Sequence, residues 1–528
     1  MARSVYFGGP ILTMEEPLYA QALVEEDGVI RYVGQLETAL ELAGPQARKV
    51  DLEGRCLMPA FLDPHSHFMA CANSLLQVQL GECADQEELC QRLGDFVQRE
   101  HLQPGEWVRG TGYDQNDLAQ GCPPDRWMLD RACPDHPVVI QHASGHVGVF
   151  NSRALELLGV DKNTPCPQGG VMEKDHEGRL TGYMEENAFL GLLQKVPMPD
   201  LKDLMDALVR AQARYASYGI ATVQEGMFMD AMLPLYQAML AQKLLKLDVV
   251  AYADPRDCKK IMEQFGDRIG HYKDHVKIGG DKIFLDGSPQ GRTAWMRQPY
   301  EGESDYRGYP VLTDEQVYGR LKSALERDVQ ILAHCNGDQA AEQYLSVMER
   351  LEQETGRRLR RPVMIHAQLV GRDQLPRLKA LGMIPSFFVA HVYHWGEVHV
   401  KNFGLERAEH ISPAGTACAL GIPFTFHQDA PVIQPNMLET VWCAVNRRTK
   451  TGRLLGEEER ISTLEALKAV TVYAAYQYFE EDRKGSLAAG KAADFVILGQ
   501  DPLSADPMAL RDIPVLETIK DGRTIWPG

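Results

Sequence analysis

Two histidines stand one residue apart, His65 and His67, at the end of the apolar run in MPAFLDPHSHFMA, Met58 to Ala70. Other ionisable residues sit in or close further short apolar runs. These are Lys282 in DKIFLDGS, with Asp286 behind it, His334 in VQILAHCNGD, His366 in RPVMIHAQ and Asp429 in GIPFTFHQDA. Neutral imidazole and carboxylate suit Zn2+ and related borderline cations. On a strand, residues i and i+2 share a face, so His65 and His67 can hold one ion between them. A catalytic metal keeps a position open for water and lowers that water's pKa to about 7. Asp429 can ligate the ion, take a proton from that water and pass it to a leaving amine. Taken singly, none of these residues is informative: most of the 16 histidines belong to surface or core, Lys282 reads as an ion-pair partner, and HSH fits a surface turn. The pattern carries the argument.

That pattern needs a scaffold that gathers distant residues. Eight short apolar runs recur: AFLDPHSH, GIATVQEG, LDVVAYAD, DKIFLDGS, VQILAHCNGD, RPVMIHAQ, GMIPSFFV and GIPFTFHQDA. Helical stretches such as DLMDALVRAQARYASYG and LTDEQVYGRLKSALERD lie between most of them. Alternating strands and helices predict an α/β chain, a (β/α)8 TIM-type barrel, whose strands all deliver their C-termini to one mouth. Residues 1–57 and 481–528 read as short strands broken by Gly and Asp-Gly turns. They are expected to pair into a composite β-sandwich around a barrel at 58–480. The interval at about 68–201 is too long for one crossover and is expected to be an insertion over one end of the barrel. Lys277 competes with Lys282 for a place in the site; five residues apart, they take opposite faces if the strand runs unbroken through Gly279 and Gly280.

Composition narrows the class. The chain has 528 residues, 44% hydrophobic and 24% charged, with a formal net charge of -18. That charge speaks against a nucleic-acid partner. No segment approaches the roughly 18 apolar residues of a membrane span, and the N-terminus does not read as a signal peptide. Eleven scattered cysteines without a C-x-x-C pair fit reduced thiols and a cytoplasmic location. The expected partner is a small-molecule substrate, with no membrane and no nucleic acid; a homodimer is left open.

FLDPHSH, KIFLDGS, AHCNGDQA, IHAQ, HQDAPV and the closing GSLAAGKAADFVIL resemble the amidohydrolase superfamily. More narrowly they resemble its amidohydrolase-3, YtcJ-like branch, which includes N-substituted formamide deformylases. SGHVGVFNSRAL and TGYMEENA, inside the long insertion, have the look of the same branch. The resemblance implies a metal-dependent hydrolase, with His65 and His67 on a buried ion and His334 and His366 on a more exposed one. It implies a carboxylated Lys282 bridging the two, and Asp429 as a ligand of the buried ion and as the base. A lysine carbamate is an anion on a long arm, whereas an ammonium would be repelled by a cation. The cofactor implied is a divalent metal, Zn2+ by donor type, one ion or two if Lys282 is carboxylated. Two departures from the branch pattern stand out: His427-Gln428 before Asp429, and Cys335 after His334.

The reaction implied is attack of metal-bound hydroxide on an amide-type C–N bond. Alternatives are ester, lactone or cyclic-amide hydrolysis, deamination or isomerisation on the same barrel, or a metal-binding regulatory protein without turnover. The candidate substrate contacts are Tyr113 in GYDQND, His146 in SGHVGVFNS, Arg292 in GSPQGRTAWM, and His427. The aromatic stretch SFFVAHVYHWGEVH offers Phe387, Tyr393 and Trp395 as an apolar wall.

Overall fold

The computed structural model describes residues 3–81, 83–115, 117–142, 147–197 and 199–527. Eight parallel strands form one sheet: β1 (Phe61–Leu62), β2 (Ile220–Phe228), β3 (Asp248–Ala253) and β4 (Val276–Phe284). The order continues with β5 (Gln330–Cys335), β6 (Val363–His366), β7 (Ile384–Phe387) and β8 (Thr425–Phe426). Each pairs with its successor. The His67 N–H reaches the Ala430 carbonyl at 2.9 Å, joining the segments that follow β1 and β8. The eight apolar runs of the sequence are these eight strands. Helices separate them, each punctuated locally. Asp314–Glu326 opens on a capping box of Thr313 and Gln316, and Asp338–Thr355 stops at Gly356 in the left-handed region.

One local feature changes the register of the site. Strand β3 pairs with β4 as Val250↔Lys277 and Ala251↔Ile278, then as Tyr252↔Gly280. Gly279 is the extra residue of a β-bulge. Gly280 (φ +156°) cannot be replaced freely, because a Cβ there would lie 1.9 Å from the Gln330 carbonyl oxygen. Val250 and Tyr252 share a face, so Lys277 and Gly280 do too, and Lys282 follows two residues on. The bulge therefore overturns the alternation of an unbroken strand: Lys277 and Lys282 face the same side at different depths.

Lys277 ends in a different environment from Lys282. It forms a close ion pair with Glu480 and donates to the Tyr478 carbonyl at 2.9 Å. Glu480 also meets Lys484 at 2.8 Å, and Lys484 meets Asp248 at 2.5 Å. Lys520 lies 3.2 Å from Asp248 and 3.3 Å from Asp494. Three buried lysines and three buried carboxylates thus tie barrel strands to the C-terminal strands.

The terminal segments build one eight-stranded mixed sheet. Strands 523–526, 515–520, 495–498 and 56–59 lie in order beside 3–12, 19–26 and 29–34, and 48–51 pairs with 3–12. The inserted segment is a compact unit of its own, Ala70–Arg210. Its six-stranded sheet runs 170–174, 180–185, 147–150, 138–142, 108–113, 78–79, packed on a core that includes Leu89, Leu93, Met128 and Ile140. The expected interval was about 68–201, and this unit spans Ala70–Arg210. Among the described residues, no helix is long and apolar enough to cross a membrane.

Candidate metal centre

At the C-terminal ends of the barrel strands, six side chains converge. His65 Nε2 is 3.1 Å from Lys282 Nζ and 3.3 Å from Asp429 Oδ1. His67 Nε2 lies 3.4 Å from the same Asp429 oxygen. His366 Nε2 is 3.9 Å from Asp429 Oδ2 and 3.0 Å from His334 Nδ1. One ligand atom each from His65, His366 and Asp429 falls within 4.8 Å of the others, the spacing of a cation site. Lys277 is absent from this group.

Local structure explains the convergence, and differs from expectation at one point. His65 and His67 do not lie on a strand; β1 ends at Leu62, and Asp63 to Ser66 form a bend. The rings stand 5.2 Å apart, edge to face. The bend is held by Asp63 Oδ1, which accepts from the His65 N–H at 3.3 Å, and by Glu225, which accepts from the Met69 N–H at 2.8 Å and the Tyr236 hydroxyl at 2.9 Å. Burial raises the Asp63 carboxyl to about 8 and Glu225 to about 7. Gly226 makes room for His65, since a Cβ there would lie 2.8 Å from its Cε1. Asp429 sits in the turn after β8, in the left-handed region at φ 54°, and His366 at φ 71°. Both carry backbone strain of the kind that clusters at functional sites.

The hydrogen-bond network assigns the proton on His65. Gln224 Nε2 donates to the Pro64 carbonyl at 2.6 Å and the Tyr478 hydroxyl at 3.1 Å. Its Oε1 must then accept from His65 Nδ1 at 2.6 Å. The Nε2 lone pair of His65 therefore faces both Lys282 Nζ at 3.1 Å and, at 3.3 Å, Asp429 Oδ1, a buried oxygen with no hydrogen-bond partner among the described residues. Two electron-rich atoms facing each other at this distance repel unless a cation lies between or beside them. On the other side, His334 Nε2 is 3.2 Å from the Gly287 carbonyl and 3.0 Å from Asn336 Nδ2. A proton on Nε2 directed at that carbonyl leaves Nδ1 as the lone pair facing the site.

Electrostatics favour the same use. Burial lowers His67 to about 3 and His334 to about 4, and pushes His65 and His366 down as well. All four imidazoles are then neutral at physiological pH. Burial lowers Lys282 to about 7, against the pull of Asp429. A sizeable share of its amine is then uncharged at neutral pH. The donor set fits a divalent cation.

The remaining expected residues fall in different places. His427 is fully buried with both ring nitrogens engaged, Nε2 3.1 Å from His366 Nδ1 and Nδ1 2.8 Å from Ser386 Oγ. Arg292 lies 3.1 Å from Glu303, and its guanidinium covers the Tyr300 ring at 5.2 Å. Tyr113 is in the core of the inserted unit, its hydroxyl without a partner among the described residues. His146 lies outside the described residues. Cys335 is buried, its thiol directed at the Gly337 carbonyl. Phe388, the neighbour of Phe387, is the aromatic at the centre, its ring 5.3 Å from His427 and 4.4 Å from His391. Trp395 packs on Phe388 at 6.0 Å and breaks the helix His391–Ala408. Tyr393 packs on Trp442 at 5.4 Å.

Sequence reasoning missed several supports. Gln224 and Ser386 were given no role, and Asn336 was quoted only within AHCNGDQA; their places on or just after barrel strands were the one signal available. Asp286 holds the loop after β4 by accepting from the N–H groups of Trp295, Asn336 and Gly337 at 2.9, 2.9 and 2.7 Å.

A parallel eight-stranded barrel with histidines, a lysine and an aspartate at its mouth, fused to a sheet from both termini, defines the architecture of the amidohydrolases. A family model described as Amidohydro_3, an amidohydrolase family, matches residues 48–526, and the chain belongs to that family. It is 28% identical to the putative amidohydrolase YtcJ of Bacillus subtilis over 99% of both chains. It is 27% identical to N-substituted formamide deformylase of Arthrobacter pascens, covering 95% of this chain and 94% of that one. Among solved structures, an uncharacterized metal-dependent hydrolase from Pyrococcus horikoshii superposes with a TM-score of 0.78 at 28% identity, covering 96% of this chain and 99% of the other.

Proposed function

We propose that this chain is a metal-dependent hydrolase that cleaves an amide-type C–N bond, in an N-substituted amide or formamide or an N-acyl compound. The observation that carries the proposal is the unpartnered Asp429 Oδ1 facing the committed lone pair of His65. A binding protein needs ligands; a hydrolase also needs a carboxylate free to move a proton. In this reading His65, His67 and Asp429 would hold one ion, Zn2+ by donor chemistry, and His334 and His366 a second, more exposed one. Lys282, part of whose amine is uncharged at neutral pH, could take up CO2 with loss of a proton, and the resulting carbamate would be a further anionic ligand to help hold the metal. A divalent cation there supplies Lewis acidity and lowers the pKa of a water.

Asp429 then takes a proton from the attacking water and delivers it to the leaving nitrogen as the C–N bond breaks, giving a carboxylic acid and an amine. Phe388 packs on the His366 and His427 rings and gives the site one apolar side, with Trp395 behind it. The similarity to a formamide deformylase supports a small acyl group.

The test is turnover of N-substituted formamides, N-acyl amino acids, esters and lactones by protein stripped with a chelator and reloaded with Zn2+ or Mn2+. Metal-dependent release of amine supports the proposal. Activity confined to esters or lactones refutes the C–N assignment. Stoichiometric metal with no turnover on any of them refutes the enzyme.

A further inference from the structure

We propose that His427, backed by Ser386, is a positioning residue that fixes the tautomer of His366 and so makes its Nε2 a metal ligand. The inference rests on the metal-site part of the proposed function and is independent of which bond is cut. A cation on His366 Nε2 needs that nitrogen's lone pair, so the ring proton must sit on Nδ1. The atom facing Nδ1 is His427 Nε2, at 3.1 Å. It must then accept, which places the His427 proton on its own Nδ1, directed at Ser386 Oγ at 2.8 Å. With a cation on His366 Nε2, both hydrogen bonds run in one direction, from His366 to His427 and from His427 to Ser386.

The arrangement is built and rigid. His427 and Ser386 are both fully buried. Ser386 lies on β7, paired opposite Thr425 of β8, so the two strands set its distance to His427. The His427 ring is packed by His65 at 5.1 Å, His366 at 5.1 Å and Phe388 at 5.3 Å. Metal-bound imidazoles commonly donate their second N–H to a carboxylate or backbone carbonyl. Here the acceptor is a second imidazole, which adds no charge beside the site. This gives a role to the histidine that departs from the usual residues before Asp429. It also explains why His427 has no nitrogen left for substrate.

The test measures Zn2+ affinity of the stripped full-length protein by competition with a chromophoric chelator, together with the visible spectrum of the Co2+-loaded form. His427→Phe fills the space but cannot accept, and affinity should fall about 10–100-fold, with a changed Co2+ spectrum. His427→Gln restores an acceptor and should recover most of the affinity. Wild-type affinity and spectrum in His427→Phe would overturn the inference. Should His427→Phe not fold, Ser386→Ala decides: a several-fold loss of affinity supports it, and unchanged affinity overturns it. A wild-type protein that binds no Zn2+ would sink the metal site and this inference together. One that binds Zn2+ but cleaves only esters would sink the C–N assignment and leave this one intact.

Discussion

Replacing Gln224 with leucine isolates one link in the site. The fully buried Gln224 amide makes three hydrogen bonds, to His65 Nδ1, the Pro64 carbonyl and the Tyr478 hydroxyl. Two of these partners keep another bond in the variant. The Pro64 carbonyl still accepts from Gln477 Nε2 at 2.8 Å, and the Tyr478 hydroxyl still donates to the Asp63 carbonyl at 2.6 Å. Only His65 Nδ1 is left without a partner. A buried polar atom left unsatisfied costs about 1–3 kcal/mol, and each lost hydrogen bond about 1 kcal/mol net. Leucine recovers part of this by apolar burial, so a loss of about 2–3 kcal/mol in the stability of the metal-free protein is expected.

The functional effect is separate. With no acceptor at Nδ1, the His65 proton moves to Nε2, toward Asp429, and blocks the position that a metal would take. Losing such a support costs about 10–100-fold in metal affinity, which is about 1.4–2.8 kcal/mol. Gln224→Glu keeps an acceptor and should hold metal close to wild type while still losing stability. Denaturant unfolding of the stripped protein gives the first quantity and chelator competition the second. If Gln224→Leu is destabilised but binds Zn2+ as tightly as wild type, the tautomer reasoning is wrong.

Three further outcomes are expected. Asp429→Asn should retain at least one ion by metal analysis while kcat on an amide falls by about 10²–10⁴-fold, the range of general acid–base catalysis; a wild-type rate would remove Asp429 as the base. Lys282→Ala should lose one ion per chain and regain part of its activity in acetate, and an unchanged ion count would show that the lysine does not bridge. Asp248 is buried, yet Lys484 and Lys520 hold its carboxyl well below the usual range. Its folded pKa lies below its unfolded value, so its stabilisation is present above the ordinary carboxylate pKa of 3.8 and is lost as pH falls below it. Asp248→Asn should therefore weaken the protein at pH 7 by about 3 kcal/mol, near the lower end for breaking a buried pair, because Lys484 keeps Glu480 and Lys520 keeps Asp494. The gap to wild type should close on acidification in urea titrations, and a gap independent of pH would refute the ionic explanation.

Much of the barrel was legible because each strand is a contiguous apolar run and the site residues sit at their ends. His65, Lys282, His334, His366 and Asp429 drew notice by that shared position, and the resemblance supplied their expected roles. What sequence could not show depends on contacts across the fold. Gln224 meets His65 from 159 residues away, and His427 meets His366 from 61; no local pattern encodes either pairing. The bulge at Gly279 reversed a face assignment because strand alternation assumes an unbroken ladder, while Gly280 must give way to the Gln330 carbonyl. His65 and His67 reach the same carboxylate from a bend, so their one-residue spacing was the right signal for a geometry other than a strand. In SFFVAH, two adjacent phenylalanines compete on equal terms by type. Only the end of β7 decides that Phe387 packs on Phe424 and Phe388 on the imidazoles.

The central claim is that a divalent ion sits among these side chains. It is tested most directly by anomalous diffraction from crystals of the Zn2+-loaded protein, collected on both sides of the zinc absorption edge. The account predicts a peak about 2.0–2.2 Å from His65 Nε2, His67 Nε2 and an Asp429 oxygen. A second peak beside His334 Nδ1 and His366 Nε2 is predicted if Lys282 is carboxylated. Zinc density elsewhere in the chain, or none at these histidines, would contradict it.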